Sequence, residues 1–318
     1  MRLFAAALIT CSTMMCAGGA QADEMPTIAV FTKNSANPAY EAFRLGADQV
    51  ARTTGARTVH FVPRQADSIE EQKAMVEQVL KNPPDAVVLI PVDDVAMVES
   101  VRKLNAAKIP VVLASNPLPG QFVTYVGADD FEIGYREARH LFERLGGRGK
   151  IVVIEGTAGA PTNRERLRGY KRAFAEYPNI EVLGSIVGNY QQADAKRAME
   201  TFLKEHPQLD AVLSANDSMA LGALEALKEA NRGATVIGIN GILPAVREIE
   251  SGALLASVDF DMFKIGCTAT RAAMRYLKRE QLPQEVMLPA EIIDKKNYKA
   301  WLVPAAQRTC PEWSDVVR

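Results

Sequence analysis

Histidine is scarce here. There are three in 318 residues, and His60, His140 and His206 lie far apart, without the spacing a metal set needs. No G-x-S-x-G elbow and no Cys–His pair offers a nucleophile. The segment GTAGAP (156–161) lacks the G-x-G-x-x-G pattern, and no acidic residue follows where a dinucleotide ribose would need one. Neither sign of charge is in excess: 37 Lys and Arg stand against 38 Asp and Glu, for a net charge of −1. No basic block interrupts that balance, which argues against a nucleic-acid partner. No apolar run approaches the roughly 20 residues a membrane span requires, and no segment is of low complexity. These absences disfavour metalloenzymes, dehydrogenases and DNA binders, and they imply no cofactor.

Cysteine is also rare, at four, and two of the four stand near the start. Arg2, the apolar LFAAALI and the small-x-small Ala20-Gln21-Ala22 read as a secretory signal peptide over 1–22, so the exported chain begins at Asp23. Cleavage leaves Cys267 and Cys310 to meet an oxidising compartment. Either they pair, or Cys267 stays a buried thiol on a helix face.

What is present is alternation of strand and helix, organised around Asp210 to Asn240. AVLSA is a short apolar run suited to a buried strand. Asn216-Asp217 follows, and either side chain can cap the helix that starts near Ser218. Gly233 stops the helix, VIGI is the next strand and Asn240-Gly241 turns the chain. This is a βαβ unit with parallel strands and a right-handed crossover. The same order of helix, Pro-bearing loop, Asp-Ala-Val strand, Asp-containing turn, helix and Asn-ended strand occurs from Lys73 to Asn116. A repeat this long predicts two similar α/β lobes of doubly wound parallel sheet with a cleft between them. Asn116, Asn216 and Asn240 sit just past strand carboxyl ends, where open α/β sheets bind ligands. Helices are expected over 40–53, 68–81 with a Ser68/Glu71 capping box, 95–107, 131–145, 192–205 and 261–277.

The segments NPAY (37–40), IPVVLASN, GADDFEIG, EGTAGAPTNRERLRGY, SANDSMALGALEAL, VIGING and SVDFDMFKIG follow one another in an order that resembles the type I periplasmic solute-binding proteins of ribose- and galactose-type transport systems. The resemblance spans nearly all of the exported chain. It implies two lobes joined by three crossovers, near Gly127-Ala128, Val258-Asp259 and 289–293. The first lobe is expected to hold 23–127 with about 260–290, and the second 128–259 with about 291–318. It implies a periplasmic monomer that closes on a small-molecule ligand, catalyses nothing and serves the membrane permease of an ABC importer. A sensor that presents its loaded form to a membrane kinase or chemoreceptor fits the same pattern. A secreted α/β enzyme does not, since no nucleophile–base or metal set is visible.

The resemblance also carries residues into the cleft. Asn37 and Tyr40 stand in the first loop, and Ser115-Asn116 stands where relatives often place an Asp-Arg pair. Arg164 matches the ligand-binding Arg of the family's RER motif, Asn216 the Asn of its ND turn and Tyr190 a cleft aromatic. Asn240 replaces a usual Asp, and Phe260 replaces the Gln of the ribose type. With two expected carboxylates missing, Arg164 calls for an anion, either a ligand acid or Asp259. The ligand is thus expected to be a sugar, a polyol or a sugar-like acid. The C-terminal tail is longer than the family core needs, and a Cys267–Cys310 bond would pin it to the first lobe.

Overall fold

The structure is a computed structural model that describes residues 25–317; the expected signal peptide, with Cys11 and Cys16, lies outside the described residues. The first lobe begins with β1 (Thr27–Phe31), α1 (Pro38–Thr54), β2 (Arg57–Phe61), α2 (Ile69–Lys81), β3 (Ala86–Leu89), α3 (Val98–Ala106), β4 (Val111–Ala114) and β5 (Thr124–Gly127). The second holds α4 (Asp130–Arg144), β6 (Arg148–Glu155), α5 (Pro161–Glu176), β7 (Asn179–Val187), α6 (Gln192–Glu205), β8 (Ala211–Ser214), α7 (Asp217–Glu229), β9 (Thr235–Ile239), α8 (Leu243–Ser251) and β10 (Ala256–Asp259). The chain then returns through α9 (Met262–Leu277) and β11 (Glu285–Met287), and crosses again to β12 (Glu291–Asp294). Two 3-10 turns, Tyr298–Leu302 and Ala305–Gln307, and α10 (Trp313–Val316) end it.

Each lobe is one six-stranded sheet, ordered β11-β5-β4-β3-β1-β2 and β12-β10-β9-β8-β6-β7. All recorded pairings are parallel except β10 with β12. The central strands β3, β4 and β8 are buried along their whole length, because helices cover both faces and leave no polar side. The duplicated stretches seen in the sequence are α2-β3-α3-β4 and α6-β8-α7-β9, equivalent in their two sheets.

Local chemistry moved several boundaries. Helix α3 starts at Val98 rather than Val95, because Asp93 Oδ1 accepts from the Val95 and Ala96 amides and holds a turn there. The Ser68 hydroxyl oxygen caps α2 through the Glu71 amide, but the Glu71 carboxylate turns to the Arg64 and Gln65 amides, so the expected box is only half formed. Helices α4 and α5 pack at glycine contacts: a Cβ on Gly134 would strike the Arg166 backbone, and one on Gly169 the Phe131 carbonyl. That close approach brings Arg166 of α5 against Asp130 at the start of α4.

The lobes are joined at 128–129, 260–261 and 288–290. The tail corrects the expected division. The turn at Tyr298–Leu302 packs on α8 and β12 of the second lobe, but the next turn packs on α1 and α10 packs on α9, both in the first lobe. Residues beyond about 303 therefore belong with the first lobe, and the chain crosses a fourth time. The Gln49 side chain fixes the tail by donating to the Arg308 carbonyl and accepting from the Cys310 amide, at 3.0 and 2.6 Å. Cys310 is disulfide-bonded to Cys267 on α9, and Arg271 pairs with Glu312.

Candidate ligand site between the lobes

A cavity opens where the carboxyl ends of the two sheets meet. The first lobe supplies Asn34, Asn37, Tyr40, Asp67, Ser115 and Asn116 to its wall. The second supplies Thr162, Arg166, Tyr190, Asn216 and Asn240, the crossing segment supplies Phe260, and the first residue of α9 supplies Met262. Space for water centres is only about 30 Å³, enough for about two waters. A solute of several carbons needs the lobes to part before it can enter.

Each wall residue is held by its own element. Asn37 caps α1, its Oδ1 accepting from the Ala39 amide at 3.0 Å. Asn216 caps α7 by accepting from the Met219 amide at 2.9 Å and donates to the Tyr190 carbonyl. Cap and cleft roles are compatible, because both helix N-termini face the cleft. The Asn116 Nδ2 donates to the Pro91 carbonyl at 2.9 Å. The Tyr190 hydroxyl shares a hydrogen bond with Thr162 at 3.0 Å. Its ring lies against Gly156, where any Cβ would enter the ring, and burial pushes its phenol up to about 12. Ser115, Tyr190 and Asn240 all have positive φ, at 58°, 59° and 122°. Three non-glycine residues in sparsely populated backbone regions at one cavity mark a site fixed by its surroundings.

Asp217 does not cap α7, although the sequence allowed it to. Its buried carboxylate accepts from the Ser257 hydroxyl at 2.7 Å and the Ile242 amide at 3.0 Å. It braces the turn that presents Asn240. Burial raises it to about 6 despite those bonds.

Arg164 is not in the wall. Its guanidinium points to the cleft rim and meets Asp94 of the opposite lobe, with Nη2 to Oδ2 at 2.5 Å, while Nη1 donates to the Gly159 carbonyl at 2.6 Å. Arg166 is the arginine of the cavity, 3% exposed. Its Nε donates to Asp130 Oδ1 at 2.8 Å, its Nη1 to the Ala215 carbonyl at 2.6 Å, and it lies 5.4 Å from the centre of the Phe260 ring. Burial would lower this guanidinium, but Asp130, Tyr190 and Tyr170 outweigh it and the net shift is upward. The signal was available: Asn163, Arg166, Tyr170 and Ala173 fall at helical spacing on one buried face of α5, and Arg164 lies off it.

Asp259 is also corrected. It faces the back of the hinge, where it accepts from Trp301 Nε1 at 2.7 Å and the Asp261 amide at 2.8 Å, and it forms no pair with Arg164. Phe260, next along, turns to the cavity instead. The carboxylate in the wall is Asp67, half-buried, which accepts from Asn34 Nδ2 at 3.0 Å. It sits in the loop RQADS with no motif around it, so nothing in the sequence singled it out. Asn34, ahead of the NPAY loop, and Thr162, in the first turn of α5 within EGTAGAPTNRERLRGY, were not singled out either.

Among the described residues no cluster of metal-binding side chains occurs, and no helix is long and apolar enough to cross a membrane. Residues 28–281 match the family model described as "Periplasmic binding protein domain". The ribose import binding protein of Bacillus subtilis is 29% identical over 271 residues, which are 85% of this chain and 88% of that protein. A solute-binding protein of an ABC transporter from Actinobacillus succinogenes, solved with bound D-allose, has a TM-score of 0.82 at 28% identity and covers 86% of this chain and 99% of its own. One from Mycobacterium smegmatis, solved with bound glycerol, has a TM-score of 0.81 at 29% identity over 87% and 96%. With two parallel-sheet lobes, a cleft at their strand ends and a family match over most of its length, this chain belongs to the periplasmic binding protein family.

Proposed function

We propose that this protein, exported through its signal segment and acting as a monomer, captures a small neutral polyhydroxylated solute, a sugar or a polyol, and hands it unchanged to the permease of an ABC importer. The observation that carries this reading is the wall itself. It consists mainly of amides, phenols and hydroxyls on rigid strand ends and helix caps, which suit the donors and acceptors of hydroxyl groups. Among the lining residues the one cation, Arg166, is already paired with Asp130, and a carboxylate, Asp67, stands in the wall, so an acid would find no unpaired cation there. The acidic-ligand expectation rested on an unpaired Arg164, and Asp94 is its partner. The bound D-allose and glycerol of the two solved relatives support the same solute class.

The lobes close as ligand contacts from both sides add, and the shut state is stabilised by the difference in affinity between open and shut forms. A thermal-shift screen over sugars, polyols and sugar acids, followed by calorimetry on the hits, tests the reading. At least one neutral polyol or sugar should raise the melting temperature, since a ligand at 100 times its Kd adds about 2.7 kcal/mol. A screen in which only sugar acids stabilise the protein, or none of the three classes does, removes it. Gel filtration with scattering checks the monomer.

A further inference from the structure

The tail is anchored on both lobes, and little chain lies between its anchors. On the second lobe, the turn Tyr298–Leu302 packs on α8 and β12, and Trp301 Nε1 donates to Asp259 at 2.7 Å. On the first, the turn Ala305–Gln307 packs on α1, Gln49 holds the Arg308 carbonyl and the Cys310 amide, and Cys310 is bonded to Cys267. Val303 and Pro304 join the two sets. Leu302 and Ala305 are three Cα steps apart, so they can separate by about 10–11 Å at most. Val303 stands at φ −74° and ψ 117°, and Pro304 at φ −56° and ψ 144°. Both are extended conformations, which rise about 3.1 Å per residue against a ceiling of about 3.3–3.6 Å, and the proline ring fixes its own φ. The link can therefore lengthen by about 1 Å.

The link bridges a gap between the lobes. Pro38 and Ala42 at the start of α1 and Leu243 and Pro244 at the start of α8 line a cavity of about 340 Å³, and 303–306 form a further side of it. The tail also holds the hinge. Trp301 bonds Asp259, and Arg308 lies 3.6 Å from Asp261; these are the residues on either side of Phe260 in the second crossover. Arg308 Nε donates back to the Val303 carbonyl at 3.2 Å, which ties the link itself to that crossover. Parting the lobes swings the start of α8 away from the start of α1. A link with so little slack then pulls on an anchor at each end.

We propose that the tail is a strap that resists opening of the hinge, and so sets the affinity and the release rate of the bound solute. This rests on the solute-capture reading above. The strap is at rest in the shut form, whose cavity is too small for a solute to enter or leave, and it is pulled in the open form. Destabilising the open form raises the fraction that is shut, and apparent affinity follows that fraction. None of residues 298–317 stands in the cavity wall, so the strap acts alike on every ligand.

The test lengthens the link and leaves both anchors in place. Gly-Ser-Gly-Ser is inserted between Val303 and Pro304, where Val303 is 43% exposed and added loop residues are tolerated. Small-angle scattering without ligand should give a larger radius of gyration than for the wild type, and the two should coincide at saturating ligand. Calorimetry with the best neutral sugars and polyols of the screen should show binding at least threefold weaker, by the same factor for each, and stopped-flow should show faster release. Cys310→Ser, which loosens the anchor on the first lobe, should move both readings the same way. The proposal is overturned if the lengthened protein keeps the unliganded radius of the wild type, if it binds within twofold of the wild type, or if the loss differs from ligand to ligand. A wild type that binds no sugar or polyol removes the capture reading instead, and the unliganded scattering still decides whether the tail restrains the hinge.

Discussion

Replacing Arg164 distinguishes a ligand contact from a latch across the cleft. The guanidinium is 47% exposed in its side chain and its partner Asp94 is 18% exposed, with their closest approach 2.5 Å. Such a pair is screened by water and salt and is worth about 0.2–1 kcal/mol. It forms between lobes, so it stabilises the shut form and acts on affinity only through the fraction that is shut. One kcal/mol is about a fivefold change in Kd. Arg164→Ala should therefore weaken every ligand alike by no more than about fivefold, mainly through faster release. Asp94→Ala should do the same, and the double variant should add nothing. The loss should shrink at high salt, and exchanging the two charges should restore binding. A direct contact would instead cost about 1.5–3 kcal/mol and would differ between ligands. Calorimetry at two salt concentrations with stopped-flow release rates decides it. A loss of thirtyfold or more, or a silent Asp94→Ala, refutes the latch.

Arg166→Met should destabilise the protein by about 3–5 kcal/mol, because Asp130 is left buried without its partner; urea unfolding measures this, and adding Asp130→Asn should recover much of it. Cys310→Ser should cost about 4 kcal/mol in the chain-entropy model for a bond spanning 43 residues, and a reductant should lower the melting temperature of the wild type but not of the variant. Burial and the neighbouring Asp261 raise Asp259 to about 7 from 3.8. Between those values the folded protein keeps a proton that the unfolded chain has released, so this stabilisation is full below about pH 4 and lost as pH rises through 7. Asp259→Asn should flatten that fall in melting temperature, and parallel profiles for wild type and variant would exclude the role.

The alternation of strand and helix, and the repeat of α2-β3-α3-β4 in α6-β8-α7-β9, were legible because a strand buried on both faces has to be apolar throughout and its crossover helix has to be amphipathic. Residues at the ends of those strands followed directly. Asn37, Tyr40, Ser115, Asn116, Tyr190, Asn216, Asn240 and Phe260 converge on one cavity. Arg164 and Asp259 do not. Two arginines two apart on a helix point to different sides, and a motif matched letter by letter does not say which side is buried. Asp259 and Phe260 are adjacent in an extended segment and face opposite ways, so only one reaches the cleft. Asp67 and Asn34 depended on the path of loops, which tertiary contacts set. The fourth crossing had no local signal, because the tail is held by one glutamine, one disulfide and two ion pairs, Arg271–Glu312 and Arg308–Asp261, from distant parts of the chain.

The tail has a consequence for synthesis. The first lobe is assembled from the beginning of the chain, from α9 and β11 and from the segment beyond about 303, while the second lacks only β12 and the turn at Tyr298–Leu302 once α4 to β10 are made. The second lobe can thus complete once the chain has emerged as far as Leu302, whereas the first stays unfinished until the segment beyond 303 follows. Its α1–α9 face, with Val50, Phe263 and Cys267 against Ala305 and Cys310, remains uncovered for that interval. A chain cut after Leu302 should keep a folded second lobe and expose this face, binding an apolar dye and aggregating where the full-length protein does neither.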